Sequence, residues 1–181
     1  RLGLGFELNV LTVIRGSLFA GLSRQRFVDS DVQNITRING VQIATPVMQI
    51  GNVTLFNGNK EAQAFVATAV NFTDFINVFP DRFTFDSGGP PEQGNNTIVI
   101  GYKVNHPDET EVPFCKASDN VTMSLITKTV ATFTPPYYRN IIQNFTFTVA
   151  GTLEKKGTPG LTNFDYWAFI PIETAVNIPG G

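Results

Sequence analysis

Alternating apolar and polar positions are most regular in the second half of the chain. Residues 120–125 and 144–149 each carry an apolar side chain at every second position. A period of two places the apolar side chains on a buried face of a strand and the polar ones on an exposed face. We therefore predict strands at 120–127 and 143–153, joined by a segment that contains two prolines.

Continuous apolar runs predict strands that are buried on both faces. Residues 8–15 form such a run, so we expect a strand there in the centre of a sheet. Asn57 and Gly58 have the sequence preference of a tight hairpin. The remaining strands are predicted at 41–56 with breaks at Pro46 and Gly51, at 61–70, at 97–101 and at 165–170.

One amphipathic helix is predicted near 29–38. Its apolar residues recur at helical spacing and share one face: Val32, Ile35 and Ile38. We expect Asp29 or Ser30 to accept backbone N–H bonds at its start. Gly40 should end it, because glycine tolerates the left-handed conformation found after a helix.

Shorter helices are predicted elsewhere in the chain. One lies near 73–79, with Thr73 as its expected cap. Phe72, Phe75 and Phe79 recur at helical spacing and are expected in the core. Others are predicted after residue 101 and at 172–176. The order of strand, helix, hairpin and helix predicts an α+β fold. A turn-rich stretch at 80–95 then separates a first lobe from a β-rich segment in the middle of the chain.

Composition excludes several classes of function. The chain has 181 residues, 42% of them hydrophobic and 15% charged, and its net charge is -2. We therefore expect a folded domain with no nucleic-acid partner, because binding phosphates needs clustered basic residues. One Cys and one His allow neither a disulfide within the chain nor a zinc site built from these residue types.

The ends and the hydropathy of the chain favour a fragment of a longer protein. No run of 18 apolar residues is present, so we predict no membrane span within it. The sequence begins with Arg1 and shows no signal-peptide pattern. We therefore expect a segment excised from something larger.

Glycosylation acceptor motifs are unusually frequent. With 16 Asn and 20 Thr in the chain, about two Asn-x-Thr triplets are expected by chance. Six occur, and they begin at Asn34, Asn52, Asn71, Asn95, Asn120 and Asn144. One interpretation is a glycoprotein surface outside the cell, and the low charge, abundant Thr and missing disulfide suit an archaeal exterior. The other is that a surface rich in Asn and Thr produces such triplets by accident.

Several residues with catalytic side chains have simpler structural interpretations. His106 lies in an acidic loop with Asp108, Glu109 and Glu111, which is either a proton-transfer or cation site or, as we favour, a solvated loop. Asp29 and Asp31 are either an acid–base pair or, as we favour, acids near the positive end of a helix.

The remaining candidates are a thiol, a glycine pair and a tryptophan. We expect Cys115 to be a small buried residue rather than a reactive thiol. Gly88 and Gly89 are not followed by the Lys and Ser/Thr of a phosphate loop. Trp167 is expected in the core. We therefore predict no catalytic residue, no metal site and no cofactor.

An aromatic segment in the middle of the chain is a candidate interface. The chain contains 16 Phe, 4 Tyr and 1 Trp. Phe133, Tyr137 and Tyr138 are close together beside two prolines and are hard to bury as a set. An exposed aromatic patch there would mark contact with a second copy, a substrate or another protein.

Seven segments follow one another in an order that is typical of one protein family: 31–41, 44–46, 67–78, 97–101, 147–153, 165–171 and 173–175. In this order they resemble the extracytoplasmic domain of MacB/FtsX-type ABC transporter permeases. They are similar to the family's opening helix and strand, its strand and short helix, the strands flanking its inserted lobe, and its closing strand and helix. Residues 106–143 depart from the family pattern.

The resemblance implies a two-lobed α+β fold. Residues 1–80 and 148–181 would form a βαβ-containing porter lobe, and residues 81–147 an inserted β-rich lobe. Such a domain lies on the outer side of the cell membrane, between the first and second transmembrane helices of the permease. The strand starting near Leu8 would neighbour the final strand, and Arg1 and Gly181 would lie close together.

The resemblance also implies a function. The expected partners are the transmembrane helices of the same permease, a second permease copy and, indirectly, a cytoplasmic ABC ATPase. ATP turnover would drive substrate export or mechanical signalling outside the membrane, and the domain itself would perform no chemistry. Two other classes stay open: a secreted or surface-layer binding module, and a hydrolase with carboxylate chemistry.

Overall fold

A computed structural model describes residues 10–13, 16–17, 21–22, 28–92, 96–109, 112–131, 137–158 and 163–175. The strands are Gly16–Ser17 (β1), Gly21–Leu22 (β2), Val47–Gln49 (β3), Val53–Asn57 (β4), Lys60–Ala64 (β5), Val66–Val70 (β6), Phe85–Gly88 (β7), Thr97–Ile100 (β8), Asn120–Ala131 (β9), Tyr137–Leu153 (β10) and Trp167–Pro171 (β11). The α-helices are Asp29–Thr36 (α1), Phe72–Val78 (α2), Tyr102–Asn105 (α3) and Ile172–Ala175 (α4). Short 3-10 helices lie at Pro80–Arg82, Pro107–Glu109 and Phe164–Tyr166.

One mixed sheet of nine strands organises the described residues. Its order is β3-β6-β11-β8-β10-β9-β4-β5, and β7 pairs with β10 beside this path. The β6–β11 and β8–β10 pairs are parallel and the others are antiparallel. β1 and β2 form a separate small pair. The predicted α+β class is therefore confirmed.

Strands from both predicted lobes share this sheet. β4, from the segment assigned to the porter lobe, pairs with β9 from the inserted segment. β10 runs without interruption across the boundary predicted between residues 147 and 148. The division into 1–80 with 148–181 and 81–147 stays a prediction, because continuous pairing does not by itself define a lobe.

The prediction for the first strand fails where it can be examined. Residues 10–13 lie in no strand, and Leu11 is 81% exposed. The rest of 8–15 falls outside the described residues, as do Arg1 and Gly181. The expected pairing of this strand with the final one is wrong, because β6 and β8 occupy the two edges of β11.

The hairpin predicted at Asn57 is confirmed with a small adjustment. Asn57 pairs with Lys60, so the two loop residues are Gly58, at φ 58°, and Asn59. The segment predicted at 61–70 divides at Phe65. Its first part, β5, pairs with β4, whereas its second part, β6, pairs with β11 and β3.

Two hydrophobic cores cover opposite faces of the central strands β6, β8 and β11. Successive residues on a strand point to opposite faces, so a strand buried on both sides contributes to both cores. Along β11, Ala168 and Ile170 enter an aliphatic core that also contains Ile98, Ile100, Val121, Met123 and Phe147. Trp167 and Phe169 enter an aromatic core on the other side, with Phe72, Phe75, Phe83 and Phe164.

Helix α2 supplies part of the aromatic core, as its phenylalanine spacing predicts. Phe72 and Phe75 are buried and Phe79 packs against them. The predicted cap, Thr73, is wrong. The helix begins one residue earlier, and Asn71 caps it by accepting a hydrogen bond from the Asp74 N–H at 3.2 Å.

Helix α1 forms where predicted but ends two residues early. The Val28 N–H donates to Asp31 Oδ2 at 3.0 Å. Asp31, rather than the expected Asp29 or Ser30, is therefore the acceptor of this backbone N–H at the start of the helix. Gly40, at φ 93°, follows the helix as predicted. None of the residues of α1 is buried, and Ile38, which follows the helix, is 57% exposed.

Candidate functional site

The longest strands, β9 and β10, extend beyond the rest of the sheet. They pair from Asn120 with Thr148 to Ala131 with Tyr137. Beside them, β4 pairs only with 122–124 and β8 only with 148–152. Residues 125–131 and 137–143 therefore pair only with each other among the described strands, over about 20 Å at 3.4 Å per residue. We call these two segments the distal ribbon.

The side chains on one side of β4, β9 and β10 are exposed or half-buried. Directly paired residues share a face of a sheet, so the cross-strand rows define this side. Its residues are Thr54, Ser124 and Asn144 in one row, Phe56, Thr122 and Thr146 in the next, and the pair Ile126 and Ile142. We call these eight side chains the open face. The opposite side is the aliphatic core, where Met123 is fully buried.

The open face carries exposed apolar side chains that sequence analysis missed. Ile126 is 67% and Ile142 66% exposed, and Phe56 is 38% exposed. The available signal was the adjacent pair Ile141 and Ile142, because two consecutive apolar residues in a strand must point to opposite faces.

The predicted aromatic interface lies near the end of the distal ribbon. Phe133 falls outside the described residues. Tyr137 and Tyr138 pair through their backbones with Ala131 and Val130, and their side chains are outside what the structure describes. The interface therefore stays a prediction.

The acceptor asparagines differ in their surroundings. Asn34 on α1, Asn52 just before β4, Asn120 and Asn144 are exposed. Asn71 is half-buried, and its side-chain oxygen caps α2. Asn95 lies outside the described residues.

Among the described residues, the candidate side chains of the acidic loop do not come together in one site. The His106 ring stacks on Tyr102 at 4.4 Å between centroids, and its Nδ1 lies 3.1 Å from the Tyr102 carbonyl oxygen. Asp108 is exposed, whereas the Glu109 side chain and Glu111 are outside the described residues. Across the described part of the chain, no three His, Cys, Asp or Glu side chains are grouped to hold a metal ion.

Cys115 is buried, as predicted. Burial, with a smaller effect of the nearby Asp119 carboxylate and opposed by Lys60, raises the pKa of its thiol to about 12. Its Sγ lies 3.4 Å from Asn105 Oδ1. A thiol that stays protonated is a poor nucleophile, so this residue serves packing.

Trp167 lies in the core, also as predicted. It packs against Phe164 at 4.9 Å and Phe169 at 5.9 Å between ring centroids. A feature that the sequence did not reveal is the buried Arg82, whose guanidinium lies 5.4 Å from the Phe79 ring centre and 5.2 Å from that of Phe164. This cation therefore lies against aromatic rings of the core.

Gly88 is the last residue of β7. Its φ is 73°, and a side chain there would collide with Ala117 and with the backbone of Ala150 and Gly151 on the neighbouring segments. Close packing against β10 therefore explains this glycine.

The fold is similar to the crystal structure of the periplasmic region of MacB from Actinobacillus actinomycetemcomitans. The TM-score is 0.58 and the sequence identity 15%, and the alignment covers 93% of this chain and 67% of that one. No family model and no curated protein sequence matches the chain. Within the described ranges, every helix is too short to cross a bilayer. The likeness shows that the chain has the α+β fold of a MacB periplasmic region.

Proposed function

We propose that this chain is a non-catalytic extracytoplasmic domain of an ABC transporter permease. The observation that carries the proposal is the likeness of fold to the MacB periplasmic region over 93% of the chain. The segments that resemble this permease family supply independent support, because they occur in the same order along the chain. The domain would couple ATP hydrolysis in the cytoplasm to substrate export or to mechanical signalling outside the membrane.

One long continuous strand supports this proposed role. β10 is one strand of 17 residues that pairs with β7 and β8 at one end and belongs to the distal ribbon at the other. A displacement of the central strands would therefore move the ribbon as a unit. Its partners would be the transmembrane helices of the same permease, a second permease copy and, through the membrane, an ABC ATPase.

The complete gene provides the first test. We expect one apolar segment of about 20 residues before residue 1 and three after residue 181. A signal peptide without apolar anchors would instead support the alternative, a secreted or surface-layer binding module, and would contradict the permease proposal.

Coupling is tested on the full-length protein, reconstituted in lipid vesicles with its ATPase. In an N140C variant with Cys115 replaced by Ala, a spin label is placed on the exposed Asn140 position of the distal ribbon. We expect a measurable distance between the labels of two permease copies, and a shift of that distance between the ATP-bound and ADP-bound states. The control is an ATPase variant that binds ATP without hydrolysing it, which should hold the ATP-bound distance.

Two outcomes would contradict the coupling. Absence of a dipolar signal would mean that two copies do not pair in the expected way. A distance that is identical in all nucleotide states would mean that the ribbon does not respond to ATP.

A further inference from the structure

Three of the four exposed acceptor asparagines among the described residues lie on one side of the sheet, and the fourth, Asn34, is on α1. Asn144 is part of the open face, and Asn120 begins β9 opposite Thr148. Asn52 precedes the buried Val53 and lies two residues before Thr54, which belongs to the open face. All three asparagines are exposed.

Strand geometry keeps these three acceptors close to one another. Asn120 lies four residues from Ser124, the partner of Asn144, so about 13 Å separates the two rows along the strand. Asn52 is two residues, or about 7 Å, from the row of Thr54 and Ser124. Oligosaccharides attached at these positions would cover most of the open face.

Each acceptor has its threonine on the same side of the sheet. The hydroxyl residues of the three motifs, Thr54, Thr122 and Thr146, are all members of the open face. In addition, Thr148 Oγ1 donates a hydrogen bond to Asn120 Oδ1 at 3.2 Å. This bond fixes the side-chain oxygen of Asn120 and does not involve its amide nitrogen, and the residue is exposed.

The open face lacks the charges that usually protect an exposed sheet. None of its eight side chains is charged, and Ile126 and Ile142 are two-thirds exposed. Uncharged surfaces of β-branched residues are prone to associate, and proteins commonly prevent this with charged residues or by covering them. A hydrated oligosaccharide would supply the cover here.

Asn71 offers the contrasting case within the same chain. It is half-buried, its Oδ1 is engaged by the Asp74 N–H, and it lies in a shallow recess with Pro91, Glu92 and Glu173. Its sequence motif is as complete as the others, so only its surroundings set it apart.

We propose that the open face is an N-glycosylated surface, with Asn52, Asn120 and Asn144 as its acceptors and Asn71 unmodified. In each case the amide nitrogen Nδ2 forms a bond to the anomeric carbon of an oligosaccharide carried on a lipid phosphate. The bond from that carbon to the phosphate oxygen breaks, the lipid phosphate leaves with the electron pair, and a base of the transferase takes one amide proton. The proposal rests on the extracytoplasmic location in the proposed function.

The test uses full-length protein purified from the organism that makes it. Mass spectrometry of its peptides, before and after chemical deglycosylation, should find carbohydrate on the peptides of Asn52, Asn120 and Asn144 and none on that of Asn71. N144Q and T146A should each lower the intact mass by one oligosaccharide, because each destroys the same motif.

A matched control lies on the same strand. N140Q changes an exposed asparagine that has no threonine two residues later. It should leave the carbohydrate mass unchanged. Because deglycosylation of the unaltered protein gives the same information, failure of a variant to fold does not prevent a decision.

The outcomes separate this proposal from the permease function. Carbohydrate on at least two of the three acceptors, with Asn71 unmodified, supports it. Fewer than two modified acceptors, or modification of Asn71, overturns it and indicates that the motifs arise from a surface rich in Asn and Thr. Unmodified protein that still shows ATP-dependent movement of the ribbon would remove only the glycosylation proposal.

Discussion

The central strands β6, β8 and β11 and the distal ribbon show two ways to build the same sheet. Every residue of β6 and β11 is buried, and the two cores hold these strands from both sides. The ribbon has only its partner strand beside it, and residues such as Ile126 and Ile142 face solvent. The centre should therefore contribute most of the stability. The ribbon should tolerate substitutions and is available for contact with a partner.

The largest expected effect lies in the aromatic core. Phe169 is fully buried, with its ring centroid 5.0 Å from that of Phe83 and 5.2 Å from that of Phe164. Phe169→Ala should lower the free energy of unfolding by about 3–5 kcal/mol, because it leaves a cavity between these rings. Urea denaturation measures it. Phe56→Ala, on the open face, is the control and should cost less than about 1 kcal/mol. Equal losses in the two variants would contradict the expected difference between the buried centre and the open face.

A glycine at the end of β8 should be the next most sensitive position. A side chain on Gly101 would collide with the carbonyl oxygens of Phe164, Asp165 and Trp167. We expect Gly101→Ala to cost about 2–3 kcal/mol through overpacking. Gly89→Ala, where a side chain has open space, should change the free energy of unfolding by less than about 0.5 kcal/mol. A tolerated Gly101→Ala would mean that the segment from Phe164 moves easily.

The buried thiol should make the stability of the domain fall at high pH. Folding raises the pKa of Cys115 from its usual 9.0 to about 12. Above pH 9 the unfolded chain loses the thiol proton while the folded protein keeps it, so stability is lost as pH rises toward 12. The loss attributable to Cys115 should reach about 2 kcal/mol at pH 10.5, at 1.36 kcal/mol per pKa unit.

The comparison that isolates this effect is between the wild type and C115A, both unfolded in urea at pH 8 and pH 10.5. All other side chains are common to both proteins, so their contributions to the pH dependence cancel in the difference. The free energy of unfolding of the wild type, relative to that of C115A, should therefore decrease at high pH. A difference that stays constant would show that the thiol is accessible to ionisation in the folded state.

The strands of the centre could be predicted from sequence because their patterns are local. The apolar runs at 97–101 and 165–170 are short, nearly uninterrupted and followed by glycine or proline, and both became buried strands. The neighbours of a strand were harder to predict. Alternation shows which face of β9 is buried, but nothing in 120–131 indicates that it pairs with β4, more than 60 residues earlier.

The acceptor motifs show the same limit at the level of single residues. Asn71 and Thr73 both have side chains suited to capping, and the choice between them depends on whether Phe72 is inside the helix. The structure includes it because Phe72 packs into the aromatic core. Tertiary packing therefore separated Asn71, a capping residue, from the asparagines of identical motif on the open face.

Loss of that cap should have a moderate effect. Asn71→Ala leaves the Asp74 N–H without its side-chain acceptor and loosens the helix that carries Phe72 and Phe75 into the core. We expect the free energy of unfolding to fall by about 1 kcal/mol. Asn71→Asp, which keeps an acceptor oxygen, should recover most of it. If both variants lost the same amount, the amide would have a role other than capping.

The smallest effect is expected where the same substitution is made in the ribbon rather than the centre. Ile126→Thr keeps a β-branched side chain on an exposed position of β9, so the free energy of unfolding should change by less than about 0.5 kcal/mol. Ile170→Thr replaces an ethyl group with a hydroxyl in β11, where the side chain is fully enclosed, and should cost at least about 2 kcal/mol. Because the chemical change is identical, the ratio of the two losses measures the difference between a strand held by two cores and one held only by its partner. A loss above about 1.5 kcal/mol for Ile126→Thr would show that the ribbon is covered rather than open, and the distinction between centre and ribbon would fail.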